Sequence, residues 1–198
     1  GHVDFTAEVE RSLRILDGAI AVFCAVGGVE PQSETVWHQA DTYGVPRIAY
    51  INKMDRIGAD FFSVIEEIRK KLAANPLPVQ IPIGKESGFK GVIDLVEFKE
   101  IYWNPDDNGR TYTYEPLLPE HLPEAELWRE HLLDTLSHYS DALTELYLDG
   151  KEIPKDLIRS ILRKETISRR LVPVFSGSSL KNTGVQPLLD GVVQYLPA

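Results

Sequence analysis

Four consecutive residues, Asn52-Lys53-Met54-Asp55, carry the most specific chemistry in this 198-residue chain. They directly follow the apolar run Pro46 to Ile51, which reads as a buried strand, so they fall on a loop at a strand's carboxyl end. A carboxylate fixed there accepts two hydrogen bonds from a pair of neighbouring N–H donors, and the N1 and N2 groups of guanine offer such a pair. Adenine does not, and would leave the carboxylate desolvated and unpaired. The Asn52 amide can bridge the base and neighbouring loops, while the Lys53 stem lies over the ring and keeps its ammonium in water. An N-K-x-D tetrad also suits an ordinary polar loop. Its place at the end of a strand favours base recognition.

A second loop strengthens that reading. Ser176-Gly177-Ser178-Ser179-Leu180-Lys181-Asn182 follows another apolar run, Leu171 to Phe175. Backbone N–H groups over Ser178, Ser179 and Leu180 can reach the guanine O6, and the small residues permit close approach. Alone, a Gly/Ser cluster marks a turn and little more.

Other reactive side chains form no comparable pattern. His121, His131 and His138 lie in or before a helical stretch without acidic partners at metal-ligand spacing, so they read as solvated or packed side chains. Glu120, Glu124, Glu126, Glu130 and Asp134 make an acidic flank, either a solvated helix face or a docking surface. The lone cysteine, Cys24, sits in the apolar run Ala19 to Val26 and reads as a buried small hydrophobe. Trp37, Trp103 and Trp128 read as core or half-buried anchors.

The elements that position the two loops follow from periodicity. Phe5, Val9, Leu13 and Leu16 share one helical face, and Asp17-Gly18 ends that helix. Ala19 to Val26 predicts a strand buried on both faces, and Ser33 a cap for a helix running to about Tyr43. After the second strand, Val64, Ile65, Ile68 and Leu72 mark another helix. After the third, Val185, Leu188, Leu189, Val192, Val193 and Leu196 mark the last. Alternating strands and helices predict an α/β fold, a mostly parallel sheet flanked by helices.

Residues 75–168 break the rhythm and predict an inserted α+β subdomain, with residues 1–74 and 169–198 forming the nucleotide-binding part. Short strands are expected at Gly91 to Leu95, Lys99 to Trp103 and Arg110 to Tyr114, with turn chemistry over Asn104 to Gly109. A long helix is expected from about Pro123 to Leu148, carrying Leu132, Leu136, Tyr139, Leu143 and Leu146 on one stripe. A shorter helix follows, from about Lys155 to Ile167.

Composition bounds the function classes. A net charge of −9 argues against one broad basic face that wraps nucleic acid. One cysteine excludes an intrachain disulfide framework and suits a reducing cytosol. No apolar run approaches the roughly 20 residues needed to cross a bilayer, and Gly1 to Phe5 lacks the pattern of a secretory signal, so a cytoplasmic location is expected.

Longer stretches extend the pattern. Gly1-His2-Val3-Asp4-Phe5 resembles the end of a D-T-P-G-H-V-D-F motif. Glu8 to Gly18, Cys24-Ala25-Val26-Gly27-Gly28-Val29, Asn52-Lys53-Met54-Asp55-Arg56 and Gly177 through Pro197 all resemble the elongation factor G family of translational GTPases. The resemblance spans essentially the whole chain and implies a truncated P-loop GTPase fold with that family's extra subdomain. It implies GTP or GDP as ligand, with Mg2+ in the intact protein. His2 would position the water that attacks the γ-phosphate, and Gly1 would sense that phosphate through its backbone. Asn52, Lys53, Met54, Asp55, Ser178, Ser179 and Leu180 would hold the base.

It further implies a monomeric factor that acts on the ribosome, touching a large-subunit RNA loop and the stalk protein, with no membrane partner. Ribosome-recycling, ribosomal-protection and peptide-release factors are alternatives within the same class. Two positions depart from the pattern: Ser179 stands where alanine is usual, and Thr183 where lysine is usual. Serine retains the backbone N–H, so the guanine contact is expected to survive.

No G-x-x-x-x-G-K-[ST] occurs within the chain. Gly84-Lys85 is followed by Glu86 and has Val79 five positions before it, and Gly150-Lys151 fails likewise. Without that cradle for the phosphates, the chain alone is expected not to hydrolyse GTP. For the chain alone, the alternatives are a surviving guanine pocket without turnover and a non-catalytic interaction module for the ribosomal stalk.

Overall fold

The computed structural model describes residues 6–198. Gly1 and His2 lie outside the described residues. Two four-stranded sheets organise the described residues. The first is parallel, with strands β1 (Ala19–Cys24), β2 (Arg47–Asn52), β3 (Pro76–Pro78) and β8 (Val172–Ser176) in the order β1-β2-β8-β3. The second is an antiparallel meander of β4 (Gln80–Ile83), β5 (Gly91–Asp94), β6 (Lys99–Trp103) and β7 (Tyr112–Glu115). The seven α-helices of the described residues are α1 (Thr6–Ile15), α2 (Pro31–Thr42), α3 (Phe61–Leu72), α4 (Leu122–Ser137), α5 (Asp141–Leu148), α6 (Lys155–Ile167) and α7 (Val185–Tyr195). The expected α/β architecture is therefore present.

One hydrophobic core runs through both sheets. Ile48, Ile51, Ile65, Ile68 and Val174 of the parallel part join Ile81, Ile93, Leu132, Leu136 and Leu162 of the inserted part in a single cluster. β2 and β8, central in their sheet, read as unbroken buried runs because both of their faces are covered. α3 begins at Asp60, whose carboxylate accepts the Ser63 N–H at 3.1 Å, and buries the predicted face Val64, Ile65, Ile68 and Leu72. β3 follows at Pro76 and bonds parallel to β8, so residues 76–78 lie in the parallel sheet although the rhythm of the sequence breaks at 75.

Five expectations change. Ser33 does not cap α2: the helix starts at Pro31 after Glu30, with proline's fixed φ suited to the first turn and no side-chain cap bond, so Ser33 lies inside it. β1 is not buried on both faces: Ile20 is 37% and Val22 60% exposed, because β2 is its only sheet partner among the described residues. Cys24, at its end, is only half-buried. The long helix expected from 123 to 148 is two, α4 and α5. The Ser140 hydroxyl accepts the Leu143 N–H at 3.1 Å and starts a new helix there, while Thr144 bonds back to Ser137. On α7, Leu188 and Tyr195 are buried, but Leu189 and Val193 of the predicted stripe are exposed.

Candidate functional site

The two polar loops predicted to act together leave neighbouring strands, because β2 and β8 are adjacent and parallel and Ile51 pairs with Ser176. Both loops therefore emerge at the same carboxyl edge of the sheet, where α/β folds bind ligands. The backbone ties them at once: Gly177 N–H donates to Ile51 O at 3.1 Å, and Met54 N–H donates to Gly177 O at 3.1 Å.

Asn52 makes the closest side-chain link. Its Oδ1 accepts the Ser179 N–H at 2.9 Å, and its Nδ2 donates to the Ser179 hydroxyl at 3.0 Å. The second bond exists only because Ser179 is serine. The first changes the expectation for that residue: its N–H, predicted to stay free for a purine O6, is spent on Asn52. The Ser178 N–H is also committed, donating to Thr183 O at 2.8 Å, and Thr183 N–H returns a bond to Ser178 O at 3.0 Å. Thr183 thus closes the loop through its backbone, a role that any residue with an N–H can fill. Among the described residues no hydrogen bond engages the Leu180 N–H, which leaves it as the loop's available donor. The Leu180 side chain is 85% exposed at the rim.

Lys53 adopts a left-handed backbone, φ +66°, an uncommon conformation for a non-glycine residue. Met54 is 1% exposed, so its side chain anchors the tetrad in the core and faces away from solvent. Asp55 sits between these constraints with its carboxylate largely covered. Burial pushes its pKa up, but the Ser178 hydroxyl, its own backbone N–H and Lys181 together pull it below the ordinary aspartate value. The Lys181 ammonium stands 3.6 Å from Asp55 Oδ2. The Ser178 hydroxyl is buried and makes no well-aligned hydrogen bond, yet lies near enough to favour the charged carboxylate. An ionised acceptor beside an orphaned buried hydroxyl suits a ligand that brings paired donors and a polar edge.

Gly177 is required where the two loops cross. A Cβ there would lie 2.3 Å from Thr183 O and 2.4 Å from the Tyr50 hydroxyl. Sequence reasoning assigned no role to Tyr50 or Lys181. Tyr50 was hidden within an apolar strand. Lys181 lies within the Ser-rich loop, but only the folded turn carries its ammonium back to Asp55.

The remaining candidates lie elsewhere. His121 Nδ1 is 2.8 Å from Glu100 Oε2, His131 meets the Trp128 ring edge-on, and His138 Nδ1 is 2.8 Å from Asp134 O. Among the described residues no group of three or more metal-ligating side chains comes together. Glu120, Glu124, Glu126, Glu130 and Asp134 lie along or just before α4, and none of them is buried.

A parallel α/β sheet that gathers an N-K-x-D loop and a Ser-rich loop at one edge defines the class of nucleotide-reading domains. The family described as the Elongation factor Tu GTP binding domain matches residues 1–198, and the chain belongs to it. Its relatives include elongation factor G 1 of Treponema denticola, 58% identical over all of this chain and 29% of that protein. Elongation factor G of Thermotoga neapolitana is 56% identical and elongation factor G 2 of Syntrophomonas wolfei 58%, each over all of this chain and 28% of theirs. The chain thus spans less than a third of the length of these relatives. A crystal structure of a Thermus thermophilus protein superposes with a TM-score of 0.87 at 26% identity, covering all of this chain and 29% of that one.

Proposed function

We propose that this chain is the base-reading part of an elongation factor G-type GTPase, which in its intact form binds and hydrolyses GTP and promotes ribosomal translocation. The observation that carries the reading is the junction of Asn52 with Ser179 beside an ionised Asp55, a preformed edge complementary to guanine. The names of the relatives, each matched over the whole chain, support the same assignment.

In this reading Asp55 accepts the N1 and N2 protons of guanine, the Lys53 stem covers the ring, and the Leu180 N–H meets O6. Asn52 acts chiefly by locking the two loops. Hydrolysis in the intact factor proceeds by attack of water on the γ-phosphate, with His2 positioning the water and Gly1 sensing the phosphate. Mg2+ accompanies the phosphates, and none of the base-edge residues named here holds it. The 198 residues by themselves contain no G-x-x-x-x-G-K-[ST] cradle and turn over no GTP. Ribosomal stalk protein and large-subunit RNA are the partners, and the factor works as a cytoplasmic monomer.

A second reading, for the chain alone, is a non-catalytic docking module. It draws on the acidic residues along α4, among which Leu118, Leu122 and Leu127 are exposed. Fluorescent GDP and ADP titrations, on this chain and on a full-length factor containing it, separate the two. Guanine-selective binding abolished by Asp55→Ala supports base reading. Equal affinity for both nucleotides in the full-length factor rejects it, and measurable turnover by the chain alone rejects the inactive assignment.

A further inference from the structure

The antiparallel part reaches both candidate base-reading loops from outside, one contact region on each. At the Asn52–Asp55 loop the contact is Glu86, in the turn between β4 and β5. Its N–H donates to Met54 O at 2.8 Å, and its Oε2 accepts the Gly58 N–H at 2.6 Å. At the Ser178–Asn182 loop the contact is the turn between β6 and β7. Asn182 Nδ2 donates to Asn108 O at 3.1 Å, and Gln186 Nε2 donates to Gly109 O at 2.9 Å. Gln186 is itself fixed by the Trp103 indole N–H, which donates to its Oε1 at 2.7 Å.

That second turn is built to be stiff. Asn104 Oδ1 accepts the Asp106 N–H, and the Asp107 carboxylate gathers the N–H groups of Arg110 and Thr111 and the Thr111 hydroxyl. Trp103 is 8% exposed and rooted against Val92 and Ile101. Approach at the tip is tight: a Cβ on Gly109, where φ is +74°, would lie 2.6 Å from Asn182 O. A hydrogen-bonded chain therefore runs from a buried indole in the antiparallel sheet to the far end of the Ser178 loop.

The loop being held is closed at its base by the reciprocal Ser178–Thr183 backbone pair, and between those residues its backbone bonds are Lys181 N–H to Ser178 O at 3.2 Å and Asn182 N–H to Ser179 O at 3.1 Å. Ser179–Lys181 is a single 3-10 turn ending at a left-handed Asn182, φ +52°. Fixing such a segment costs conformational entropy, and a segment already fixed before the ligand arrives lowers that cost at binding. We propose that the antiparallel subdomain is a positioning frame for the guanine-reading loops, with Glu86 and the Asn108–Gly109 turn as its contacts and Asn182 and Gln186 as the positioning residues that engage that turn. The proposal rests on the guanine-reading assignment for its consequence in binding, but not for the ordering of the loops.

Amide hydrogen exchange on this chain without nucleotide tests the ordering directly. Asn182→Gly tolerates the left-handed backbone and deletes the bond to Asn108 but also frees the chain there. It is therefore read beside Gln186→Ala, which leaves the loop's own residues unchanged. Gln186→Ala deletes the other two. Each variant is expected to speed exchange at Ser178 to Thr183 by about fivefold, one hydrogen bond's worth, while the β2 and β8 amides stay protected as before. Unchanged exchange at Ser178 to Thr183 in Asn182→Gly overturns the proposal, whatever the stability of Gln186→Ala.

The second arm uses a full-length factor containing this segment, titrated with GDP, inosine diphosphate and 6-thioguanosine diphosphate. Loosening the Ser178 loop is expected to lower GDP affinity about fivefold and to reduce discrimination against the O6-substituted base. Discrimination against the base lacking N2, which reports on Asp55, stays unchanged. A variant with faster loop exchange but wild-type discrimination at O6 overturns the positioning role. A wild-type factor indifferent to all three bases overturns the guanine assignment instead.

Discussion

Asn52 and Ser179 grip each other at both ends of the amide, the Oδ1 taking the Ser179 N–H at 2.9 Å and the Nδ2 giving to its hydroxyl at 3.0 Å. The pair joins loops that are 127 residues apart in the chain. Deleting either side chain removes the hydroxyl bond, but only deleting Asn52 also removes the bond to the Ser179 N–H. Asn52→Ala should therefore destabilise this chain by about 1–2 kcal/mol and Ser179→Ala by about 0.5–1 kcal/mol. The double variant should fall short of their sum by several tenths of a kcal/mol or more. Urea unfolding of the four proteins reads the coupling directly. Strict additivity would mean that the two side chains do not bond in solution.

Glu100 is a fully buried carboxylate that accepts from the Leu118 N–H at 2.9 Å, the Tyr102 hydroxyl at 2.5 Å and His121 Nδ1 at 2.8 Å. Burial raises its pKa, but these donors outweigh it and hold the carboxyl below the ordinary value of 4.5. A folded pKa below the unfolded one means that the unfolded chain binds the proton first. The stabilisation is thus complete above the unfolded value and is lost as pH falls through the folded one. Asp94, raised by burial, acts in the opposite sense, so wild type and Glu100→Gln must be compared at each pH. Glu100→Gln should cost about 2–3 kcal/mol at pH 7, since one donor then faces an amide N–H. The gap between the two proteins should narrow below pH 4.

The helix break between α4 and α5 gives a simpler test. Ser140 accepts the Leu143 N–H and is the start signal for α5. Ser140→Ala should destabilise the chain by about 1 kcal/mol, read by thermal or urea unfolding. A loss near zero would show that the Thr144 bonds to Ser137 and Ser140 suffice to hold the corner.

That same corner shows what periodicity in a sequence resolves. Leu132, Leu136, Tyr139, Leu143 and Leu146 keep helical spacing across the break, so the apolar pattern is blind to it, and only the capping chemistry of Ser140 discloses the turn. Strands β2 and β8 were legible because strands covered on both faces are apolar throughout. β1 has the same composition, yet its exposure depends on its neighbours, which local sequence does not encode. β4, Gln80–Ile83, went unseen because four residues containing Pro82 carry neither alternation nor a turn signal.

At the candidate site the same division holds. The tetrad and the Ser-rich loop were legible as residue types at strand ends. The Asn52–Ser179 lock, the Lys181 ammonium beside Asp55 and the Trp103–Gln186–Gly109 chain are contacts between distant segments or around a folded turn. The first two exist only once β2 and β8 lie side by side, and the third only once α7 meets the β6–β7 turn.

Gly177 offers the strictest test of that crossing. Its absent side chain is what lets the Ser178 loop pass over Tyr50 and beneath Thr183, for a Cβ would meet Thr183 O at 2.3 Å and the tyrosine hydroxyl at 2.4 Å. The tyrosine is 2% exposed and cannot swing away, and the Thr183 carbonyl is fixed by the Ser178 N–H at 2.8 Å. Neither neighbour is the free end of a flexible side chain. Gly177→Ala should then cost about 1–3 kcal/mol, the usual range for overpacking a filled interior. Tyr50→Phe removes one of the two obstructing atoms, so in its background the penalty of Gly177→Ala should shrink without vanishing. The measurement is the difference in unfolding free energy with and without the alanine in each background. An equal penalty in both would place the whole obstruction at the Thr183 carbonyl.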